Sequence, residues 1–170
     1  PVGQDTGLVR MAELVEVGLP DGPGGGGIEA ADLLDAFADH VRSFVDRATL
    51  RPLKVVADTA NGMGGLVLPA VFDTLPFDLE VLYGELDGEF PNHPADPMNP
   101  ENLHDLQARV VAVGADVGLA FDGDADRVFL VDERARPVSS SITTALVASA
   151  ILQAEPGATI IHNLICSRVV

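Results

Sequence analysis

Three aspartates alternate along a short segment of the chain, and an arginine follows the last of them. They are Asp122, Asp124 and Asp126, and the arginine is Arg127. Carboxylates this close together repel one another, and clusters of this kind persist when a cation neutralises them. Hard oxygen ligands favour Mg²⁺ or a similar divalent ion over zinc. The segment, called the acidic loop below (residues 122–127), therefore predicts a metal site made of the three aspartates.

Two simpler interpretations of the acidic loop fit less well. The dipeptide Asp122-Gly123 is typical of a tight hairpin turn, but such a turn needs one acid rather than three alternating acids. A calcium EF-hand would use the three aspartates and Glu133 as ligands. The position that must be glycine in an EF-hand holds Arg127 here, and the flanking residues indicate strands instead of helices.

A phosphatase of the haloacid-dehalogenase type is a third alternative. Such an enzyme would use Asp122 as the nucleophile and Asp124 as its partner. The third acid, Asp126, and the single, distant lysine, Lys54, fit that pattern poorly. A Mg²⁺-dependent phosphatase-like domain and a stand-alone metal-binding module remain as alternative functions.

Composition and charge exclude several classes of protein. The formal net charge is −16, from 10 Lys and Arg against 26 Asp and Glu, which argues against a nucleic-acid surface. No apolar run approaches the ~20 residues that span a bilayer, so no membrane partner is expected. The one cysteine, Cys166, permits no internal disulfide, and the N-terminus does not resemble a signal peptide. These features predict a cytoplasmic globular protein.

Strand and helix patterns alternate around the acidic loop. Helices are predicted over residues 28–46, 66–75, 100–113 and 139–152. Strands are predicted over residues 53–57, 77–83, 116–121, 128–131 and 159–163. Pro69 is expected near the first turn of its helix, and Asn99 is expected to cap the helix that starts at Pro100.

The acidic loop joins the third and fourth of these strands. The connection is too short for a parallel crossover, so the two strands should form an antiparallel hairpin. The whole pattern predicts an α/β protein with three α/β/α layers. Its sheet should be mixed and mainly parallel, with about four strands and one antiparallel strand after the acidic loop.

The acidic loop is similar to the metal loop of the α-D-phosphohexomutases, the phosphomannomutase and phosphoglucomutase family. Residues 55–65 resemble the first strand and turn of that family's second domain. Residues 90–102 resemble the long loop ahead of its next helix, and residues 114–121 resemble the strand before its metal loop. The resemblance runs from residue 28 to residue 170 and is closest to bacterial phosphomannomutases.

This resemblance implies an enzyme that interconverts hexose 6-phosphate and hexose 1-phosphate through a phosphoserine and a bisphosphate intermediate. The three aspartates of the acidic loop would bind Mg²⁺. Arg127 would contact the phosphoserine, unless it closes the loop by pairing with one of the acids. His93 and Arg168 are candidates for contacts with sugar or phosphate, although His93 could instead tie down its own loop.

The same comparison divides the chain. Residues 1–27 resemble the tail of the family's first domain with a linker, residues 28–138 its second domain, and residues 139–170 the opening of its third. The family's phosphoserine, sugar-binding and phosphate-binding loops are absent, and the sequence has no initiator methionine. The chain is therefore expected to be part of a longer mutase, to work with the remaining mutase domains, and to be inactive alone.

Two further expectations concern the C-terminal part of the chain. Residues 139–170 should pack on the body of the chain or on a neighbouring copy, which would give a dimer. Many relatives carry basic residues where this chain has Ile142 and Ile165, so no lysine stands there to assist proton transfer. The pattern does not distinguish mannose, glucose and glucosamine phosphates as substrates.

Overall fold

The computed structural model describes residues 3–19, 22, 24–168 and 170, and the chain divides into two compact units, Pro1–Asp32 and Leu33–Val170. The first unit carries a 3-10 turn, Gln4–Thr6, and helix α1, Leu8–Val17. No helix was predicted within residues 1–27, although Leu8, Met11 and Val15 recur at helical spacing. No helix in the described part of the chain is long and apolar enough to cross a membrane.

The second unit is built on a five-stranded sheet. Its strands are β1, Leu53–Asp58; β2, Phe77–Leu82; β3, Val117–Phe121; β4, Val128–Asp132; and β5, Pro137–Val138. The order is β2-β1-β3-β4-β5, with β1 parallel to β2 and β3, and with β4 antiparallel to both β3 and β5. As predicted, β4 alone opposes the other strands. The two-residue β5 was missed because so short a strand carries no alternation.

Helices cover both faces of this sheet. They are α2, Leu34–Arg42; α3, Gly64–Phe72; α4, His104–Val113; and α5, Ser140–Ala154, with 3-10 turns at Arg47–Thr49 and Pro100–Leu103. Helix α4 packs on the face that carries Val56 and Val131. Helix α3 lies against the opposite face, beside Leu79 and Val81 of β2. The predicted three-layer α/β/α fold is confirmed.

The core lies between α4 and the sheet. Leu106 and Val110 of α4 are fully buried against Val56 and Val131, all at 0% exposure. The helix approaches the sheet closely because β3 carries a glycine at the contact. A Cβ atom on Gly118 would lie 2.9 Å from Val110 Cγ2. This contact fixes β3, and so the start of the acidic loop, against the core.

Helix α2 is shorter than predicted. It begins at Leu34, whereas the apolar spacing indicated a start at residue 28. Residues 28–33 follow the glycine run and are exposed, so no packing stabilises a helical turn there. Phe37 of the predicted apolar face is 47% exposed. Arg42 also links α2 to α3, because its Nη1 donates to the Ala70 carbonyl at 2.6 Å.

Two other helix starts differ in detail from the prediction. Pro69 lies at the sixth residue of α3, in its second turn, where it cannot donate to the carbonyl of Gly65. The helix predicted from Pro100 begins as a 3-10 turn and becomes α-helical at His104. The predicted N-cap is confirmed, because the Asn99 side chain accepts the Glu101 N–H at 3.2 Å.

The predicted strand at residues 159–163 is wrong. The described residues after α5 form neither helix nor strand, and Ile161 is 91% exposed. A strand needs a neighbour for its backbone groups, and no strand of the sheet pairs with this segment among the described residues. The segment contacts α5 through the Ser167 N–H, which donates to Ser141 Oγ at 3.0 Å. The predicted divisions at residues 27 and 138 stay predictions.

Candidate functional site

The acidic loop starts where β3 ends, at the sheet edge where β1 also ends. Asp58, the last residue of β1, is in register with Ala120, two residues before Asp122. Side chains that follow neighbouring parallel strands meet at one edge, which is where open α/β sheets usually bind ligands. The fold therefore brings the acidic loop together with the turn after β1.

The three aspartates converge. Asp122, Asp124 and Asp126 each offer one carboxylate oxygen, and these oxygens lie within 4.8 Å of one another. Ligands ~2.1 Å from an octahedral Mg²⁺ lie no more than ~4.2 Å apart. Asp122 is buried whereas the other two are exposed, so the latter pair has more freedom to adjust its spacing. The donor set fits a hard divalent cation.

Arg127 holds the buried member of the set. Its backbone N–H donates to Asp122 Oδ1 at 3.1 Å, and its Nε and Nη2 each lie 2.6 Å from Oδ2. Burial favours a higher pKa for Asp122, but the N–H donors and positive charge of Arg127 outweigh it and hold that pKa below its usual range. Asp122 is thus an oriented carboxylate at neutral pH. The loop-closing role of Arg127 is the one the geometry shows, and its phosphoserine contact stays a prediction.

The glycine-rich turn after β1 packs against the backbone of the acidic loop. The Met63 N–H donates to the Gly123 carbonyl at 2.9 Å. A Cβ atom on Gly62 would lie 2.6 Å from the same oxygen, so only glycine fits there without displacement. An open cleft of about 220 Å³ lies beside this contact, with Phe90 on its other side.

Replacing Gly62 by alanine is expected to lower the free energy of unfolding by ~1–3 kcal/mol, because the added methyl group meets rigid backbone. Urea denaturation followed by circular dichroism measures this change. Gly88→Ala is the matched control, since a Cβ atom there meets no heavy atom within 4 Å. Equal stabilities for the two variants would contradict the close contact between Gly62 and Gly123.

His93 lies over the end of β1. Its Nε2 is 3.1 Å from Asp58 Oδ2, its Nδ1 is 2.9 Å from the Pro94 carbonyl, and its side chain is 14% exposed. Burial raises the pKa of the Asp58 carboxyl, and the neighbouring imidazole partly opposes that rise. Both ring nitrogens of His93 therefore contact groups of this chain, which agrees with the predicted role of tying down its own loop. A contact of His93 with sugar or phosphoserine stays a prediction.

Sequence reasoning missed Asp58 and Tyr83 as partners of His93. The rings of Tyr83 and His93 meet edge to face, with centroids 5.4 Å apart. The Tyr83 hydroxyl donates to Asp105 Oδ2 at 2.7 Å. An acid at the end of the apolar β1 run was a usable signal for Asp58, because a carboxylate there must be paired. Nothing local indicated Tyr83.

The Tyr83 hydroxyl should lose its proton at a higher pH than an ordinary tyrosine. Its bond to the Asp105 carboxylate raises the pKa of Tyr83 to about 12, so the folded state stabilises the protonated hydroxyl. The stabilisation is complete below the ordinary tyrosine pKa of ~10 and is lost as the pH rises through the folded value. Absorbance at 295 nm isolates this group, since the chain has one Tyr and no Trp. Asp105→Asn should lower the midpoint, and a wild-type midpoint near ~10 would contradict the bond.

Arg168 is not brought to the acidic loop by any contact of the described residues. It lies exposed in the segment after α5 that forms neither helix nor strand. Its predicted contact with phosphate therefore stays a prediction. The site that the structure assembles consists of the acidic loop, the turn after β1 and the loop that carries His93.

Comparison with known proteins gives consistent matches. Residues 34–135 match the family model described as phosphoglucomutase/phosphomannomutase, alpha/beta/alpha domain II. The chain is 41% identical over 145 residues to a phosphomannomutase/phosphoglucomutase of Pseudomonas aeruginosa, which covers 85% of this chain and 31% of that protein. It is 37% identical over 171 residues to a phosphomannomutase of Escherichia coli, which covers 96% of this chain and 38% of that protein.

A solved structure shows the same fold. The crystal structure of a phosphoglucomutase/phosphomannomutase family protein from Burkholderia thailandensis superposes with a TM-score of 0.79 at 36% identity. The match covers 85% of this chain and 31% of that one. The chain thus spans about a third of the length of the relatives it matches.

Proposed function

Because the chain belongs to the phosphoglucomutase and phosphomannomutase family, we propose that its acidic loop is the Mg²⁺ site of a phosphohexose mutase. Such an enzyme interconverts hexose 6-phosphate and hexose 1-phosphate. One observation carries the proposal: three carboxylate oxygens lie within 4.8 Å of one another inside the family-matched region. The family match supports the mutase activity, and the donor set supports the binding of a divalent ion.

The residues of the loop take different parts in this proposal. Asp122, buried and bound by Arg127, is the ligand with a fixed orientation. Asp124 and Asp126 are exposed and adjust around the ion. Bound Mg²⁺ would polarise a phosphoryl group and offset its charge. Arg127 spends Nε and Nη2 on Asp122, and its Nη1, which has no partner among the described contacts, is suited to a phosphate oxygen.

Overall charge supports a need for the ion. A protein with net charge −16 repels a sugar phosphate unless a cation or added basic groups intervene. We assign the phosphoserine and the remaining phosphate-binding groups to other domains of the mutase. The serine passes its phosphoryl group to the hexose phosphate, and the resulting bisphosphate turns round and returns its other phosphate. The chain alone binds the ion without turnover.

The test uses the protein that carries this chain together with its remaining mutase domains. Glucose 1-phosphate and mannose 1-phosphate are supplied in parallel, with a sugar bisphosphate as activator, and formation of the 6-phosphates is followed. The proposal predicts Mg²⁺-dependent turnover that Asp124→Asn/Asp126→Asn reduces by ~100-fold or more. Glu133→Gln, an exposed acid outside the loop, is the control. Unchanged turnover in the double variant would overturn the metal assignment.

A further inference from the structure

Gly123 lies between the first two aspartates of the acidic loop, and two separate segments touch it. From the turn after β1, the Met63 N–H donates to the Gly123 carbonyl at 2.9 Å. From the loop after β2, Phe90 and Ala95 close the other side. A Cβ atom on Gly123 would lie 3.2 Å from Phe90 Cζ and 3.6 Å from Ala95 Cβ. The position of Gly123 therefore depends on both segments.

Two pairs of side chains join these segments to each other, in addition to backbone bonds such as that of the Asp87 N–H to the Asn61 carbonyl at 2.9 Å. His93 Nε2 lies 3.1 Å from Asp58 Oδ2, and Asn92 Nδ2 donates to Asn61 Oδ1 at 2.8 Å. We call these four residues the clasp. Asp58 is 1% exposed and Asn61 is 6% exposed, so both pairs are anchored in the protein interior. Bonds made in such a low-dielectric setting are stronger than surface bonds.

Contacts at both ring nitrogens fix the orientation of the His93 imidazole. His93 Nδ1 faces the Pro94 carbonyl at 2.9 Å, and a carbonyl only accepts, so Nδ1 carries a hydrogen. Nε2 faces the Asp58 carboxyl at 3.1 Å, so the imidazole is a polar partner of that buried group. Removing the imidazole leaves a buried carboxyl whose other bond in the structure comes from the Ala60 N–H. That loss is costly in the interior.

The turn that the clasp holds is strained. Ala60 and Asn61 have φ values of 46° and 61°, in the left-handed region that residues with a Cβ atom rarely adopt. Backbone of this kind persists only when its surroundings fix it. Here the Ala60 N–H donates to Asp58 Oδ1 at 3.0 Å, and the Asn61 N–H donates to the Tyr83 carbonyl at 2.9 Å. Without the clasp we expect the turn to relax away from Gly123.

We propose that His93 and Asp58 are positioning residues of the metal site. Their bond locks the loop after β2 onto the turn after β1, and the two segments together set the place of Gly123. The spacing of Asp122 and Asp124, which flank Gly123, follows from that place. This inference rests on the proposed function in one respect, namely that the acidic loop binds a divalent ion.

The test is a titration of the chain with Mn²⁺, with free Mn²⁺ followed by electron paramagnetic resonance. Loss of a partner that orients metal ligands costs about 10-fold in affinity, and we expect that loss for His93→Ala. His93→Gln keeps an amide N–H donor facing Asp58 and should recover most of the affinity. His104→Ala is the matched control, because His104 is exposed and pairs with Glu101 at 3.5 Å. It should bind Mn²⁺ like the wild type.

A second readout needs no metal. Hydrogen exchange of the Met63 amide reports its bond to Gly123 directly and should be faster in His93→Ala than in wild type or His104→Ala. His93→Gln should restore slow exchange. Should His93→Ala fail to fold, Asn92→Ala removes only the more exposed pair, Asn92 with Asn61. Its Mn²⁺ affinity and its Met63 exchange are then compared with those of the wild type, and the same direction of change is expected.

The outcomes separate this inference from the proposed function. Wild-type affinity and wild-type Met63 exchange in His93→Ala would overturn the positioning role and leave the metal site standing. Absence of Mn²⁺ binding by the wild-type chain would overturn the proposed function, and the positioning role with it.

Discussion

Leu106→Ala is expected to lower the free energy of unfolding by ~2–5 kcal/mol, the usual cost of a cavity left by a core leucine. Leu106 is 0% exposed and packs in the cluster that contains Val56, Val110 and Val131. The contact between α4 and Gly118 leaves little freedom for this core to collapse into the space. Chemical denaturation of the chain measures the loss.

Val111→Ala on the same helix is the matched control. Val111 is 61% exposed, so the substitution removes little buried surface. Its effect should stay within ~0.5 kcal/mol, the usual range for surface substitutions. Similar losses for the two variants would show that α4 does not bury Leu106 against the sheet.

Asp122→Asn is expected to weaken divalent-ion binding by ~100-fold or more, beyond the range seen when only an outer partner of a ligand is lost. The substitution removes the one charged ligand whose orientation is fixed. The substitution also replaces one carboxylate oxygen by an NH₂ group that faces Arg127. Because Arg127 has only donors in its side chain, its bonds to the positions of Oδ1 and Oδ2 weaken together. Isothermal titration with Mn²⁺ measures the affinity.

Asp132→Asn controls for the general effect of removing an aspartate that pairs with arginine. Asp132, the last residue of β4, accepts from Arg136 Nε at 2.8 Å and lies outside the acidic loop. Its replacement should leave Mn²⁺ affinity within ~2-fold of wild type, because charges that far from the site are screened. A larger loss in Asp132→Asn than in Asp122→Asn would contradict the assignment of the ligands.

Local patterns were enough to predict the acidic loop and its hairpin. Three alternating acids carry their chemistry in six consecutive residues, and the short connection between β3 and β4 allows only an antiparallel pair. The buried run of β1 and the Asn99 cap are also local signals. These elements were found because neighbours in sequence determine them.

Features that depend on distant residues were not found from sequence. Asp58 and His93 meet across two elements and a long loop, and neither residue alone indicates the other. The segment at residues 159–163 has a strand composition, but strand propensity reflects packing against a partner, and no partner is present among the described strands. The start of α2 was misplaced for a related reason. Apolar spacing predicts a helix face that packs against a partner, but Leu33 and Phe37 remain exposed.

The most direct test of the central claim is a Mg²⁺ titration of the isotopically labelled chain followed by backbone amide resonances. The metal assignment predicts saturable shifts centred on Gly123 and Ala125, with smaller shifts at Met63, whose N–H bonds to the Gly123 carbonyl. Asp122→Asn should abolish them. Shifts that grow linearly with Mg²⁺ and spread over the acidic surface, without saturation in the loop, would contradict a metal site at residues 122–127.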